Sequence, residues 1–326
     1  MPILVTGGGG YIGSVVVDAL SARGESVVVA DDLARGHREA VAPDVPLRIG
    51  DLTDPGFVRQ LFAEFSIDAI LHFAAWSQVG ESMREPGKYF RNNYVGVLNL
   101  LEALVASGGR SFILSSTAAT YGEPTSCPID EASPTLPTNP YGASKLQCEQ
   151  LLRWFGELHG LRWTALRYFN AAGATAERGE DHEPETHLIP LALRTLVGGS
   201  PLTVFGLDYP TPDGTCIRDY IHVSDLADAH LLALDALGRG EGGAYNLGNG
   251  TGFSVLEVIA AAESVTGRTI PWQAGPRRAG DPARLVASSG LARERLGWSP
   301  SRGDIRVIVE SAWRWMERHP RGYRGA

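Results

Sequence analysis

The sequence predicts an α/β fold, a doubly wound parallel sheet with a smaller α/β substrate-binding domain set over its edge. Three observations predict it. Short apolar runs alternate with helical periodicities from residue 1 to about 173. The first run breaks into a glycine turn that opens a helix. After residue 174 the chain changes to short elements rich in Pro, Gly and Arg.

Ile3-Leu4-Val5 leads directly into Thr6-Gly7-Gly8-Gly9-Gly10-Tyr11-Ile12-Gly13, and Val15, Val16, Ala19 and Leu20 then carry a helical face. Glycines at 7, 10 and 13 let the backbone come close to a pyrophosphate, whose charge is met by the free N–H groups and dipole of the helix start. Val27 to Ala30 reads as a second buried strand and ends in Asp31, 18 residues beyond Gly13. An acid there hydrogen-bonds the ribose hydroxyls of a dinucleotide and repels a 2′-phosphate, which favours NAD over NADP.

The alternation continues. Leu47 to Gly50 is a short strand followed by Asp51-Leu52, placed to frame an adenine. Residues 55–65 carry helical periodicity. Ala69 to Phe73 is another buried strand, with His72 packed among apolar neighbours, and the small Ala74-Ala75 pair lets a cofactor pass. Residues 86–107 read as one long helix interrupted by Asn92 and Asn93, two amides that either reach the cofactor or tie neighbouring loops. Ser111 to Leu114 is the next strand, and it stops at Ser115-Ser116-Thr117. In open α/β sheets ligands bind outside the carboxyl ends of the strands, so Thr117 is placed to hydrogen-bond a substrate alcohol.

A long Pro, Thr and Ser-rich linker, residues 118–139, delivers the chain to Pro140-Tyr141-Gly142-Ala143-Ser144-Lys145, the start of a helix. Tyr141 and Lys145 stand four apart and share one helix face. A phenol titrates near pH ~10, so it serves as a base near neutrality only where something stabilises the phenolate. An ammonium one turn away is such a partner. Only two of the 29 Lys and Arg residues are lysines, Lys88 and Lys145. Chance alone supplies ~0.06 Tyr-x-x-x-Lys matches in a chain of this composition.

Trp163 to Tyr168 reads as a sixth strand. Residues 1–173 are thus expected to form the dinucleotide domain, with 220–250 crossing back into its sheet, and 174–326 a discontinuous cap. In the cap, Arg218 and the group Arg277-Arg278-Ala279-Gly280-Asp281 suit a pyrophosphate-bearing substrate, since guanidinium forks match phosphate oxygens.

The net charge is −8 with signs mixed throughout, so no nucleic-acid face is expected. No apolar run is long enough for a bilayer, strand-like sequence begins at Ile3, and Cys127, Cys148 and Cys216 form no Cys-x-x-Cys pair. A soluble protein of the reducing cytoplasm is expected, with no metal site read from the spacing.

Taken together, the chain resembles the extended short-chain dehydrogenase/reductases, and within them the nucleotide-sugar 4-epimerases, over essentially its full length. The resemblance is carried by Gly7 to Gly13, Gly80-Glu81-Ser82, Asn92-Asn93, Tyr141 to Lys145, Arg167-Tyr168-Phe169-Asn170, Asp208-Tyr209-Pro210-Thr211, Asp213-Gly214-Thr215, Arg218 to Val223, Tyr245 to Gly248 and His319-Pro320. It implies a Rossmann-type fold and an NAD-dependent isomerase that interconverts UDP-galactose and UDP-glucose, or another UDP-sugar pair, by removing and returning hydride at C4. It also implies a homodimer in which the helices of 86–107 and 140–159 pair.

By the same resemblance Tyr141 is the base, Lys145 lowers its pKa and Thr117 binds the reacting oxygen. NAD contacts are implied for Gly7, Gly10, Tyr11, Ile12, Gly13, Asp31, Asp32, Leu33, Asp51, Leu52, Phe73, Ala74, Ala75, Ser77, Asn93, Ser115, Tyr141, Lys145 and Tyr168. Phe169, Asn170, His187, Leu188, Thr203, Phe205, Arg218, Arg278, Asp281 and Leu285 are implied for the nucleotide sugar, beside Thr117 and Tyr141. Three positions depart from the pattern. Ser77 replaces a cofactor-contacting Lys, His187 replaces an Asn near the diphosphate, and Leu285 is of middling bulk where size decides whether an N-acetyl sugar fits.

The resemblance also frames the rivals. A 4,6-dehydratase needs an acid beside Thr117, where Ala118-Ala119 stand; a non-catalytic nucleotide sensor has no use for Tyr141 and Lys145; a two-substrate oxidation would draw on free cofactor.

Overall fold

A computed structural model describes residues 2–278 and 281–325. Its centre is a seven-stranded sheet built from β1 (Ile3–Thr6), β2 (Val27–Asp31), β3 (Leu47–Ile49), β4 (Ala69–His72), β5 (Ser111–Thr117), β6 (Arg162–Tyr168) and a late edge strand, Gly243–Leu247. The spatial order is edge strand, β6, β5, β4, β1, β2, β3, and every pairing is parallel. β1, β2 and β4 are buried throughout, as strands must be when helices cover both faces of a sheet.

One face is covered by Tyr11–Ala22, Val223–Gly238 and Gly290–Leu296, the other by Pro55–Glu64, Gly96–Ala106 and Pro140–His159. The strand order reverses between β1 and β4, which is where such sheets open a crevice at their carboxyl ends. A third apolar cluster lies outside the sheet and joins Leu188–Arg194, Val255–Thr266 and Ile305–Arg318. Around it run short ladders: Phe253–Ser254 with Ile217–Arg218 with Arg284–Leu285, Leu202–Phe205 with Trp272–Gly275, and Asn170–Ala172 with Tyr220–His222.

One local reading is corrected. The stretch expected as one helix over 86–107 is an α-turn, Pro86–Tyr89, then a π-helical segment, Phe90–Val95, then an α-helix, Gly96–Ala106. Apolar spacing alone does not register the wider turn, because the stripe on either side of it stays apolar. The stretch Arg218 to Val223 is split at Asp219, between Ile217–Arg218 and Tyr220–His222. Asp219 is wholly buried and turns inward, its carboxylate accepting from the N–H groups of Asn249, Gly250 and Ala287 at 2.7, 2.9 and 3.0 Å. Of the run Arg277 to Asp281, Ala279 and Gly280 lie outside the described residues.

Candidate active site

A cavity of about 500 Å³ opens at the carboxyl ends of β1, β2, β4 and β5 and extends to Arg218, Asp281 and Leu285 of the outer ladders. Its floor is the glycine turn. Gly7 has a φ of +75°, and a Cβ there would stand 2.4 Å from the Ala74 nitrogen. A Cβ on Gly13 would stand 2.2 Å from the Gly7 carbonyl oxygen, so β1, the turn and the helix close on one another only without side chains. Asp31 ends β2 with its carboxylate accepting from Gly9 N–H at 2.9 Å and Leu33 N–H at 2.8 Å. Burial raises its pKa, and these two amides pull it back. A backbone cradle of glycines with a carboxylate at the second strand end fits a dinucleotide, so the residues present suit NAD.

Most of the expected cofactor residues line this cavity: Gly7, Gly10, Tyr11, Ile12 and Gly13 from the turn, Asp31, Asp32, Asp51 and Leu52 from β2 and the loop after β3, Phe73, Ala74, Ala75 and Ser77 after β4, and Ser115, Tyr141, Lys145 and Tyr168. Leu33 and Asn93 do not. Leu33 sits in a left-handed turn, φ 57°, against Gly9. Asn93 is buried and fully used: its amide accepts from Trp76 N–H at 2.9 Å and donates to the Trp76 carbonyl at 3.0 Å and to Ser144 Oγ at 3.1 Å. It therefore ties the loop after β4 to the Tyr141 helix, while its neighbour Asn92 lines the cavity. Of the two amides left open by the sequence, Asn93 ties the loops and Asn92 stands on the cavity side.

The reacting end is set by alternation along β5. Ser115, Ser116 and Thr117 all reach the cavity lining, but the Ser116 hydroxyl is committed to Glu149, to which it donates at 2.5 Å, leaving Ser115 and Thr117 on the alternate face. Helix Pro140–His159 enters with Asn139 as its cap, the side chain accepting from Gly142 N–H at 2.9 Å, and this fixes Tyr141 and Lys145 beside Thr117. Burial raises the Tyr141 phenol, and the neighbouring Thr117 hydroxyl opposes it. Burial also brings the Lys145 ammonium down to about 8, against the raising influence of Cys148 and Glu149. Tyr168 hydrogen-bonds His230 at 2.5 Å; since His230 Nδ1 donates to the Leu226 carbonyl at 2.8 Å, its Nε2 is bare and accepts the phenol proton.

Toward the outer ladders Phe169, Asn170, His187, Arg218, Asp281 and Leu285 line the cavity. Leu188, Thr203, Phe205 and Arg278 do not. Arg278 instead lies over the Phe205 ring at 4.2 Å, and Arg218 pairs with Asp281 while donating to its neighbour Ile217 carbonyl at 2.7 Å. Several cavity residues escaped the sequence reading, among them Arg35, Trp76, Glu180 and His182. The last two sit in a doubled Glu-x-His pattern, Glu180-Asp181-His182 and Glu185-Thr186-His187, which is the signal that would have found them.

A parallel sheet with a glycine cradle at its switch point and a Tyr-x-x-x-Lys helix against the same crevice defines a Rossmann-type nucleotide-dependent enzyme. Comparison with known proteins narrows the class. The family model described as "NAD dependent epimerase/dehydratase family" matches residues 3–248. A protein of Lacticaseibacillus casei named UDP-glucose 4-epimerase is 53% identical over 99% of both chains. Among solved structures, UDP-glucose 4-epimerase from Brucella ovis in complex with NAD superposes with a TM-score of 0.93 at 44% identity, covering 96% of this chain and 97% of that one. The enzyme of that name from Bifidobacterium longum, in complex with NAD+ and UDP, gives 0.94 at 37% identity over 99% and 100%. The chain belongs to the NAD-dependent epimerase/dehydratase family.

Proposed function

We propose that this chain is an NAD-dependent 4-epimerase of UDP-hexoses that interconverts UDP-galactose and UDP-glucose. The observation that carries the reading is the convergence of Thr117 and Tyr141 on one wall of the cavity, with Lys145 buried one helical turn away. When bound in the glycine cradle, NAD would supply the hydride acceptor and donor needed at C4 of the sugar. Tyr141 takes the 4-hydroxyl proton and later returns it, and Thr117 holds the same oxygen in line. Because burial raises the phenol, Tyr141 gives up its proton only when positive charge is added beside it. In this reading the two sources are protonated Lys145, one helical turn along, and an oxidised nicotinamide.

Net oxidation is zero in each turn, so a loosely held sugar ring and a firmly held diphosphate belong together. Arg218 and His187 at the outer end of the cavity suit the diphosphate, Asp281 suits a ribose hydroxyl, and Leu285, of middling bulk, borders the space left for the sugar. In this reading residues 1–173, with 220–250, serve the cofactor and the remainder forms the cap. The presence of Gly243–Leu247 in the central sheet supports that division.

A homodimer is supported by helix Pro140–His159, which exposes Trp154 and Leu158 by 59% and 71%. A cytoplasmic setting is supported by three unpaired cysteines among the described residues and by the lack there of any helix long and apolar enough to cross a membrane. A single mass peak at the monomer value in light scattering would argue against the dimer.

Product analysis with UDP-galactose tests the reaction. UDP-glucose should accumulate with total NAD constant, and Tyr141→Phe should lower kcat by ~10²–10⁴. Unchanged turnover in Tyr141→Phe, or stoichiometric NADH, would sink the proposal.

A further inference from the structure

Four residues on the loop between Asn170–Ala172 and helix Leu188–Arg194 take no part in the proposed proton transfer, yet they gather at the cavity wall. Glu180, His182, Glu185 and His187 each present a ligand atom, and these atoms all lie within 4.8 Å of one another. His187 Nδ1 is 3.2 Å from Glu185 Oε1, and His182 Nδ1 is 3.1 Å from Glu180 Oε1. Glu180 Oε1 is also 2.6 Å from His187 Nδ1, so one oxygen serves both imidazoles.

The hydrogen bonding of Glu185 is incomplete. Its side chain is 1% exposed. Oε1 accepts from the N–H groups of Thr186 and His187 at 2.7 and 2.9 Å. Oε2 is buried and has no hydrogen-bond partner among the described residues; Arg194 Nη2 stands 3.9 Å away, too far to donate. A buried carboxylate oxygen left bare costs free energy that a cation would offset.

We propose that Glu180, His182, Glu185 and His187 form a binding site for a divalent transition-metal ion of the zinc, cobalt or nickel type on the wall of this cavity. The donor set is two imidazole nitrogens and two carboxylates, which suits those ions better than the all-oxygen shells of magnesium or calcium. Bonds of ~2.1 Å to a tetrahedral centre separate the donors by ~3.4 Å. Three of the donor pairs are already 2.6–3.2 Å apart and none of the set is farther than 4.8 Å, which brackets that value. The half-exposed His187 has room to make its share. Glu180, His182 and His187 all line the cavity, so the ion is reachable from it.

The site also organises its surroundings. The His182 ring stands edge-on to Tyr11 with centroids 6.3 Å apart, and Tyr11 donates to the Gly173 carbonyl at 2.5 Å. An ion held there would brace the loop against the glycine turn.

The test is metal binding by the purified full chain, read independently of catalysis. After chelator treatment and dialysis the chain is titrated with Co²⁺, followed by visible absorption, and with Zn²⁺, followed by elemental analysis. One equivalent per chain is expected, with affinity falling at least ~10-fold in His187→Asn and in His182→Asn. His37→Asn is the control, because His37 lies 3.5 Å from Asp181 outside the cluster and should leave binding unchanged. Circular dichroism and thermal melts of the variants establish that they fold; the half-exposed His187 tolerates replacement even if His182 does not. Absence of saturable binding, or an unaltered Co²⁺ spectrum in folded His187→Asn, would overturn the proposal.

Discussion

The carboxylate of Glu149 receives Arg167 through Nε at 3.0 Å and Nη2 at 2.6 Å, a two-pronged pair between the Tyr141 helix and β6 with both side chains 7% exposed. Arg167 Nη1 reaches on to the Tyr121 hydroxyl at 2.7 Å, and Tyr121 donates to Asn246 at 2.8 Å. Glu149 also accepts from Ser116, the residue before Thr117. The pair therefore locks β5, β6, the edge strand and the Tyr141 helix into one frame. Removing one partner strands a buried charge, so Glu149→Ala should cost ~3–5 kcal/mol in urea unfolding. Glu149→Leu with Arg167→Met should cost less than Glu149→Ala alone. A double variant as unstable as the single one would show that packing, and not the stranded charge, dominates.

Gly13→Ala places a methyl 2.2 Å from the Gly7 carbonyl. Backbone must move to admit it, at a cost of ~1–3 kcal/mol. The glycine turn spreads in doing so, and the chain should purify with less bound NAD. Cofactor released on denaturation, read by absorbance beside a melting curve, checks this; full NAD content with an unchanged Tm would refute it.

Acid should unfold the protein earlier than its carboxylates alone require. Burial lowers His230 and His222 to about 4 each, so both are neutral when folded and protonate near pH ~6.5 when unfolded. Between those values the unfolded chain binds more protons than the native one. Stability therefore falls as pH drops from ~6.5 through ~4, by about 3 kcal/mol for each histidine at the limit. Urea midpoints measured across that window should slope accordingly, and His222→Asn, which keeps a side-chain acceptor for Ser224 N–H, should flatten the slope. An identical slope in that variant would remove His222 from the account.

Leu285 lines the outer end of the cavity from the strand Arg284–Leu285. Its medium bulk should leave partial turnover of UDP-N-acetylglucosamine, and Leu285→Ser should raise the preference for it by ~10-fold in kcat/KM. No turnover by the parent and no gain in the variant would dismiss Leu285 as the size gate.

The cofactor end of the site was legible in sequence because its parts are backbone features. Glycines at 7 and 13 and an acid after a buried run are demanded by close approach and strand ends, and the structure puts all three on one cavity. The outer end was legible only in part. Arg278 and Phe205 carry the right chemistry, but their packing against each other is a contact between two ladders distant in sequence, which no local pattern reports. Glu180 and His182 were passed over because polar loop sequence reads as solvated. It is the return of the chain beside Tyr11 that half-buries the histidine and buries the carboxylate.

The wider turn at Phe90–Val95 has one more consequence. A π-turn carries one residue more than an α-turn, so the phase of Gly96–Ala106 on the sheet and the placement of Asn92 and Asn93 are set by chain length there as well as by residue type. Asn93 holds the loop after β4 only while that surplus residue is present. A substitution in this segment would test one side chain, whereas deleting a single residue would turn the helix by about 100° and exchange which amide meets the cavity. Length variation at this one place is thus a means of changing the pocket wall without altering a single pocket residue, and an amide-exchange map of such a deletion should show Trp76 losing its protection first.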